Sequence, residues 1–473
     1  MLDMIIIIAY FAVMLGAGWL GLRRTQNTED YLVAGRNLGY GFYAGTLAAV
    51  VLGGASTIGG IRLGYLYGIS GMWLVFMLGL GLIVLSVFLS NKLTSLKVFT
   101  VSEMLGRRYG VSSRVISGVV MVTYTSMVAV TSTLAMGTVF DVILGIPRIP
   151  AIIVGGAIVV LYSVLGGMWS ITLTDILQFG IMTLGIFGLL LPISLSKAGG
   201  WSGLQEDLPA SYFDVTAIGG STIFTYFLIY FFGIIIGQDI WQRVFTARNG
   251  KVAKRAGLGA GLYCMCYSVA GAVIGMSSRV VLPDLAIPDN AFATVTKEVL
   301  PVGVTGLVLA AALAAVMSTA SACLLGAATI LANDVNGVAV GAEPADSMKR
   351  QRVFTFGVGA AVIGAAIVVQ DVVGGLTIAY NLLVGALLVP IMGGLFWSRS
   401  TAKAALASMA AGGVVVVVLM IRLGMLANEP IYWGLAASAA AFVIVSVLTK
   451  PRTEAREMSP KTSAAPSATQ HQP

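Results

Sequence analysis

Apolar runs long enough to cross a lipid bilayer recur from one end of this chain to the other, and that recurrence limits the fold more than any motif does. Backbone N–H and C=O groups find no partners in hydrocarbon, so each run has to pair its own as a helix. The chain has 473 residues, 58% hydrophobic and 10% charged, with a mean hydropathy of +0.93. Windows of about 19 residues resolve thirteen runs, centred near Tyr10, Leu47, Gly81, Ser126, Ile158, Gly185, Leu228, Val269, Ala315, Ala360, Gly385, Ala411 and Ala439. The expected fold class is an all-α integral membrane protein with 13 transmembrane helices. A single membrane domain is expected over residues 1–450, followed by a polar Ser-, Thr-, Ala- and Pro-rich cytoplasmic tail, 451–473, that reads as disordered.

Lysine and arginine choose the orientation, because short cytoplasmic loops carry the excess positive charge. With the N-terminus outside, 22 of the 28 basic residues fall in inside loops, Arg243 among them. The exceptions are Arg62, Arg148, Lys197, Arg279, Lys297 and Arg422. The expected topology is therefore N-outside and C-inside in a cell membrane, and the net charge of +8 reflects topology rather than nucleic-acid binding. The first run, Met4 to Leu22, is long enough to span and is expected to stay as a helix rather than be cleaved as a signal peptide. Cys264, Cys266 and Cys323 fall inside apolar helices and read as small packing residues. The single histidine, His471, lies in the tail, so no histidine-based catalysis or zinc site is expected.

Two segments break the apolar pattern with oxygen-bearing side chains. Gly53-Gly54-Ala55-Ser56-Thr57-Ile58-Gly59-Gly60 interrupts the second run, the composition of an unwound stretch that frees carbonyls. In the ninth, Ala315, Ser318 and Thr319 stand at i, i+3 and i+4, so one carbonyl and two hydroxyls share a helical face. Neutral oxygens of this kind suit a hard monovalent cation, which leaves no buried carboxylate behind when it departs. Tight glycine packing against another helix is the competing reading of the first segment, and hydroxyls bonding their own helix that of the second.

Several motifs, in this order and on these runs, carry a family resemblance: Asp30-Tyr31-Leu32-Val33-Ala34-Gly35-Arg36, Ala55-Ser56-Thr57-Ile58-Gly59, Thr172-Leu173-Thr174-Asp175-Ile176-Leu177-Gln178, Gly237-Gln238-Asp239 and Ala315-Val316-Met317-Ser318-Thr319. To about residue 450 the chain resembles the sodium:solute symporter family. The resemblance implies a LeuT-type 5+5 inverted-repeat core, with repeats at about 38–196 and 218–397, one extra N-terminal helix and two extra C-terminal helices. It also implies Na+ as the coupled ion, held by backbone carbonyls of Ala55, Ile58 and Ala315 and hydroxyls of Ser318 and Thr319. Asp175 matches the family aspartate implicated in sodium release or a second ion site, while a helix-start carboxylate is its plainer role. In the proline-transporting branch an aspartate stands where this chain has Thr57, which argues against assigning proline.

The expected function is sodium-coupled import of a small organic solute by alternating access, with the bilayer, sodium and the solute as partners. Neither nucleic acid nor an obligatory protein partner is called for. Arg62, just past the broken stretch, either meets a solute carboxylate, snorkels outward or pairs with an acid. The first option leans the reading towards a carboxylate-bearing nutrient such as a monocarboxylate or amino acid. The remaining candidates for the solute cavity are Thr57, Tyr124, Thr131, Ser132, Tyr226, Tyr230, Tyr380 and Asn381. Proton coupling through Asp175, or a sugar, nucleobase or vitamin substrate, is the alternative. A channel would need a pore lined by carbonyl or charge rings, and an enzyme would need a base, nucleophile or metal cluster facing a cavity that these runs do not supply.

Overall fold

The computed structural model describes residues 1–341, 348–369 and 371–449. The tail, 451–473, with His471 and the basic residues Arg452, Arg456 and Lys461, lies outside them, as does Lys450. Among the described residues every regular element is helical, and the sole strand-like contact is an isolated bridge between Leu38 and Ala247. The apolar helices are α1 Leu2–Arg24, α2 Tyr40–Val51, α3 Ala55–Leu96, α4 Val111–Leu144, α5 Arg148–Lys197, α6 Gly220–Ile236, α7 Gln238–Val244, α8 Gly250–Val281, α9 Val304–Val340, α10 Met348–Val368, α11 Val372–Phe396, α12 Ala402–Leu423 and α13 Glu429–Leu448. Ten of these are each long and apolar enough to cross a membrane, or eleven if the bent pair α6 and α7 counts as one.

Two of the long helices turn sharply at a glycine. At Gly167 φ is +54°, and an added Cβ would run into the backbone and ring of Tyr31, so only glycine fits. Before this turn, Tyr162 packs on Gly18 and Gly166 on Gly21, so the arm runs with α1. After it, Ser170 hydrogen-bonds to the Gly18 carbonyl and Gln178 to Tyr10, so the second arm runs back against α1. Gly68, at φ +63° with the Tyr212 backbone against it, divides α3 in the same way.

Burial ranks the helices from the centre outwards. In α9, 94% of the spanning window is enclosed by protein, against 28% in α13 and 33% in α1 and α10. Its sequence explains this, because a helix that is Ala-, Ser- and Gly-rich all round lets α1, α4 and α5 approach closely where lipid gives no hydrophobic drive. The outer helices keep Leu, Ile, Val, Phe and Trp on exposed faces, among them Ile421, Trp433, Val443 and Phe356. The central helix is thus held on all sides, and it is the one that carries Ser318 and Thr319.

Candidate functional site: a capped helix break, a buried ion pair and two cavities

α2 stops at Val51 because Leu52 adopts φ −92° and ψ 58°, which leaves the last carbonyls of the helix without amide partners. Hydroxyls replace those amides. Ser318 Oγ donates to Ala49 O at 2.8 Å, with Ala315 O an alternative acceptor at 2.9 Å, and Thr319 Oγ1 donates to Val50 O at 2.7 Å. Ser56 Oγ reaches Val51 O at 2.7 Å and Thr57 Oγ1 reaches Leu52 O at 3.4 Å. All four hydroxyl-bearing residues are buried. Gly53 makes the approach possible, since a Cβ there would land on the Thr319 hydroxyl.

This geometry brings Ala315, Ser318 and Thr319 to the break, as the sequence led us to expect, but against different carbonyls. Ala55 and Ile58 lie beyond it, in the π-helical turn Ala55–Gly59 that opens α3. The start of a helical segment leaves N–H groups unpaired, whereas its end leaves carbonyls unpaired. The oxygens that accept the Ser318 and Thr319 hydroxyls are those of Ala49 and Val50, while Ala55 lines the same small cavity as Thr319. Together with Ala315 O and the two hydroxyls, the Ala49 and Val50 oxygens form a neutral oxygen set that fits a monovalent cation, with two hydroxyl protons turned away to admit it.

Asp175 lies on the second arm of α5, fully enclosed, and pairs with Arg243 Nη2 at 3.2 Å while accepting a hydrogen bond from Thr46 on α2. Its Oδ1 and the Arg243 Nε and Nη1 have no hydrogen-bond partner. Arg243 is a correction to the loop charge count: it sits on α7, bent 43° from α6, and is 0% exposed. The carboxylate explains the placement, because a guanidinium enters a protein interior only with a partner.

A cavity of about 20 Å³, room for one water, separates the break from α4, α7 and α11. Val50, Gly53, Ser56, Thr131, Ser132, Asp239, Thr319 and Tyr380 line it, with Leu78, Val128, Ile234 and Leu376 between them. Of the solute candidates, Thr131, Ser132 and Tyr380 meet here, and Tyr124 stands behind them. Its hydroxyl donates to Asp239 Oδ1 at 3.1 Å and its ring meets Tyr380 edge-on at 5.1 Å. Tyr230 packs on Tyr380 and shares a 3.0 Å hydrogen bond with Thr377. Asn381 donates to the Thr377 carbonyl of its own helix, with its Oδ1 lacking a partner. Thr57 bonds Tyr267 on α8 instead, at 2.9 Å.

Arg62 and Tyr226 stand elsewhere, in a cavity of about 230 Å³ nearer the α1 N-terminal end, with Tyr67, Thr222, Thr225, Thr377 and Asn428. There Arg62 Nε faces Asp289 Oδ2 at 3.3 Å, and both side chains are partly exposed. The sequence reading missed Asp239, quoting it only within a motif. An acid two residues after a glycine, inside the apolar run 220–244, was the available signal.

A helical membrane protein with a broken helix capped by hydroxyls from a central partner helix belongs to the class of secondary transporters with cavity-lining helix breaks. The profile described as "Sodium:solute symporter family" matches residues 31–412, and the chain belongs to this family. It is 28% identical to the sodium/pantothenate symporter of Escherichia coli (strain K12) over 468 residues, covering 93% of this chain and 95% of that one. It is 24% identical to the sodium/glucose cotransporter of Vibrio parahaemolyticus, covering 86% and 82%. Among solved structures, a substrate-bound, outward-open Na+-coupled sialic acid symporter superposes with a TM-score of 0.84 at 19% identity over 95% of this chain and 98% of that one. Mhp1, a nucleobase-cation-symport-1 family transporter, does so at 0.59 and 16%, covering 90% and 96%. The fold is thus LeuT-like, and the relatives are symporters rather than enzymes.

Proposed function

We propose that this protein imports a small organic solute together with Na+ by alternating access. The observation that carries the reading is the set of hydroxyl caps on the α2 break. Ser318 and Thr319, on the most enclosed helix, reach across to Ala49 and Val50, so an ion there draws α2 and α9 together through five oxygens, and its departure leaves only the two hydroxyl hydrogen bonds between them. We assign the ion ligands to Ala49 O, Val50 O, Ala315 O, Ser318 Oγ and Thr319 Oγ1, with Ala55 and Ile58 flanking them past the break. Asp175, bonded to Thr46 four residues before Val50, acts on ion release through α2. At about 100 mV one inward charge is worth about 2.3 kcal/mol, which supports roughly fifty-fold accumulation before any sodium gradient is counted.

Thirteen spans account for the chain when α3 is divided at Gly68, α5 at Gly167, and α2 joined to the first part of α3 and α6 to α7. Five spans then fall in each of 38–196 and 218–397, and each set opens with a broken helix, at Gly53 and at Gly237. That correspondence supports an inverted-repeat division, and the distribution of lysine and arginine supports an outside N-terminus in a cell membrane.

The solute is a small nutrient, and Arg62 in the outer cavity favours one that bears a carboxylate, a monocarboxylate or an amino acid. Thermal unfolding of the purified protein against a solute panel, in sodium and in choline, tests the reading. A solute that stabilises only with sodium supports it. Stabilisation indifferent to sodium, or one set by pH alone, contradicts it.

A further inference from the structure

We infer that Asp239 receives a monovalent cation carried by the solute, so that the transported compound bears a protonated amine. This rests on the proposed sodium-coupled import and narrows its solute class. Asp239 stands in the first turn of α7, 3% exposed, and is the one formally charged side chain lining the cavity between the α2 break, α4 and α11. The five ion pairs among the described residues leave it out. Arg243, one turn further along α7, is bonded to Asp175, and Arg62 faces Asp289 in the outer cavity. Among the described residues the other buried carboxylates, Glu103, Asp175 and Asp334, each have an ion-pair partner, so Asp239 is the buried acid left without one, and it faces the cavity.

A charge at this depth costs several kcal/mol unless a partner is brought to it. The Tyr124 hydroxyl supplies one hydrogen bond to Oδ1 but no charge. An ammonium group supplies both, with three N–H donors for the carboxylate and for neighbouring hydroxyls such as Thr131 and Ser132. The cavity as it stands has room for one water, so the solute enters when alternating access widens it, and Leu78, Val128, Ile234 and Leu376 would then take the carbon skeleton. An anionic headgroup in the same place would meet a like charge. A second sodium ion is the other source of a monovalent cation. The amine is favoured because Leu78, Val128, Ile234 and Leu376 give the lining an apolar part that suits a carbon skeleton and not a bare ion.

The test is a thermal-shift and equilibrium-binding series on the purified full chain at saturating sodium. Its probes are pairs that differ in the amine: 4-aminobutyrate and butyrate, L-alanine and L-lactate, L-proline and cyclopentanecarboxylate. The amine-bearing member of a binding pair should bind about tenfold tighter or more, the scale of one charge-assisted hydrogen bond. Asp239→Asn should erase that preference while the sodium response is retained. Tyr124→Phe, which leaves the carboxylate and removes only its hydroxyl partner, should keep the preference and serves if the Asn variant does not fold. Tighter binding of amine-free members, an Asn variant that keeps the preference, or no shift from any amine overturns the proposal. Loss of the sodium response in Asp239→Asn, with the solute preference intact, assigns the site to a second sodium ion instead. Abolition of every sodium response in the wild type would defeat the symport reading itself, which separates the two failures.

Discussion

At the residue scale the account turns on which polar atoms are left without partners when one side chain is removed. Ser318→Ala leaves the Ala49 carbonyl unbonded, at a cost of about 1–3 kcal/mol, and also deletes an ion ligand. Its sodium midpoint in thermal unfolding should therefore move up by tenfold or more, and Thr319→Ala should behave alike through Val50. The Asp175–Arg243 pair predicts a different pattern. Arg243→Leu strands a buried carboxylate and should destabilise the protein by about 3–5 kcal/mol. Asp175→Asn in the same chain should restore much of that, because the stranded charge is gone, and a double-mutant cycle read by chemical denaturation checks it. Ser318, Thr319 and Asp175 were legible in the sequence because polar atoms in an apolar run stand out. Arg243 was not: the same arginine reads as a loop charge unless its partner, 68 residues earlier in the chain, is known to face it.

Among the elements, the two broken helices and the glycine turns decide where the site can form. Gly53→Ala would place a methyl group on the Thr319 hydroxyl, so the variant should fold with weakened sodium stabilisation. Gly167→Ala meets both a left-handed φ and the Tyr31 backbone, and should cost at least about 1–2 kcal/mol from the dihedral alone, seen as a lower unfolding temperature with or without sodium. The apolar runs and the position of the first break were readable from hydropathy and from the glycine and hydroxyl cluster. Which carbonyls the break frees was not. A run of Gly, Ala, Ser and Thr marks an interruption, but that the Ser318 and Thr319 hydroxyls meet Ala49 O and Val50 O depends on backbone dihedrals that composition does not encode.

For the whole molecule, the central claim is that one ion joins α9 to the α2 break and that its release lets the two part. Membership of the sodium:solute symporter family and the superposition on a Na+-coupled symporter are independent of that detail, since both rest on the whole chain. The thirteen apolar runs were readable because hydropathy counts runs even where the helix stays continuous through a turning glycine, whereas the inverted-repeat division came from the family resemblance and not from the runs. The solute was not foreseeable, because the central cavity is lined by side chains that lie far apart in the chain, from Val50 to Tyr380, and residue types alone do not say which compound they would recognise. The most direct test is binding of radioactive sodium to the purified protein by scintillation proximity, in the wild type, Ser318→Ala and Thr319→Ala. The account predicts saturable binding in the wild type that is lost or weakened at least about tenfold in both variants. Undiminished sodium binding in both would contradict it and place the ion elsewhere.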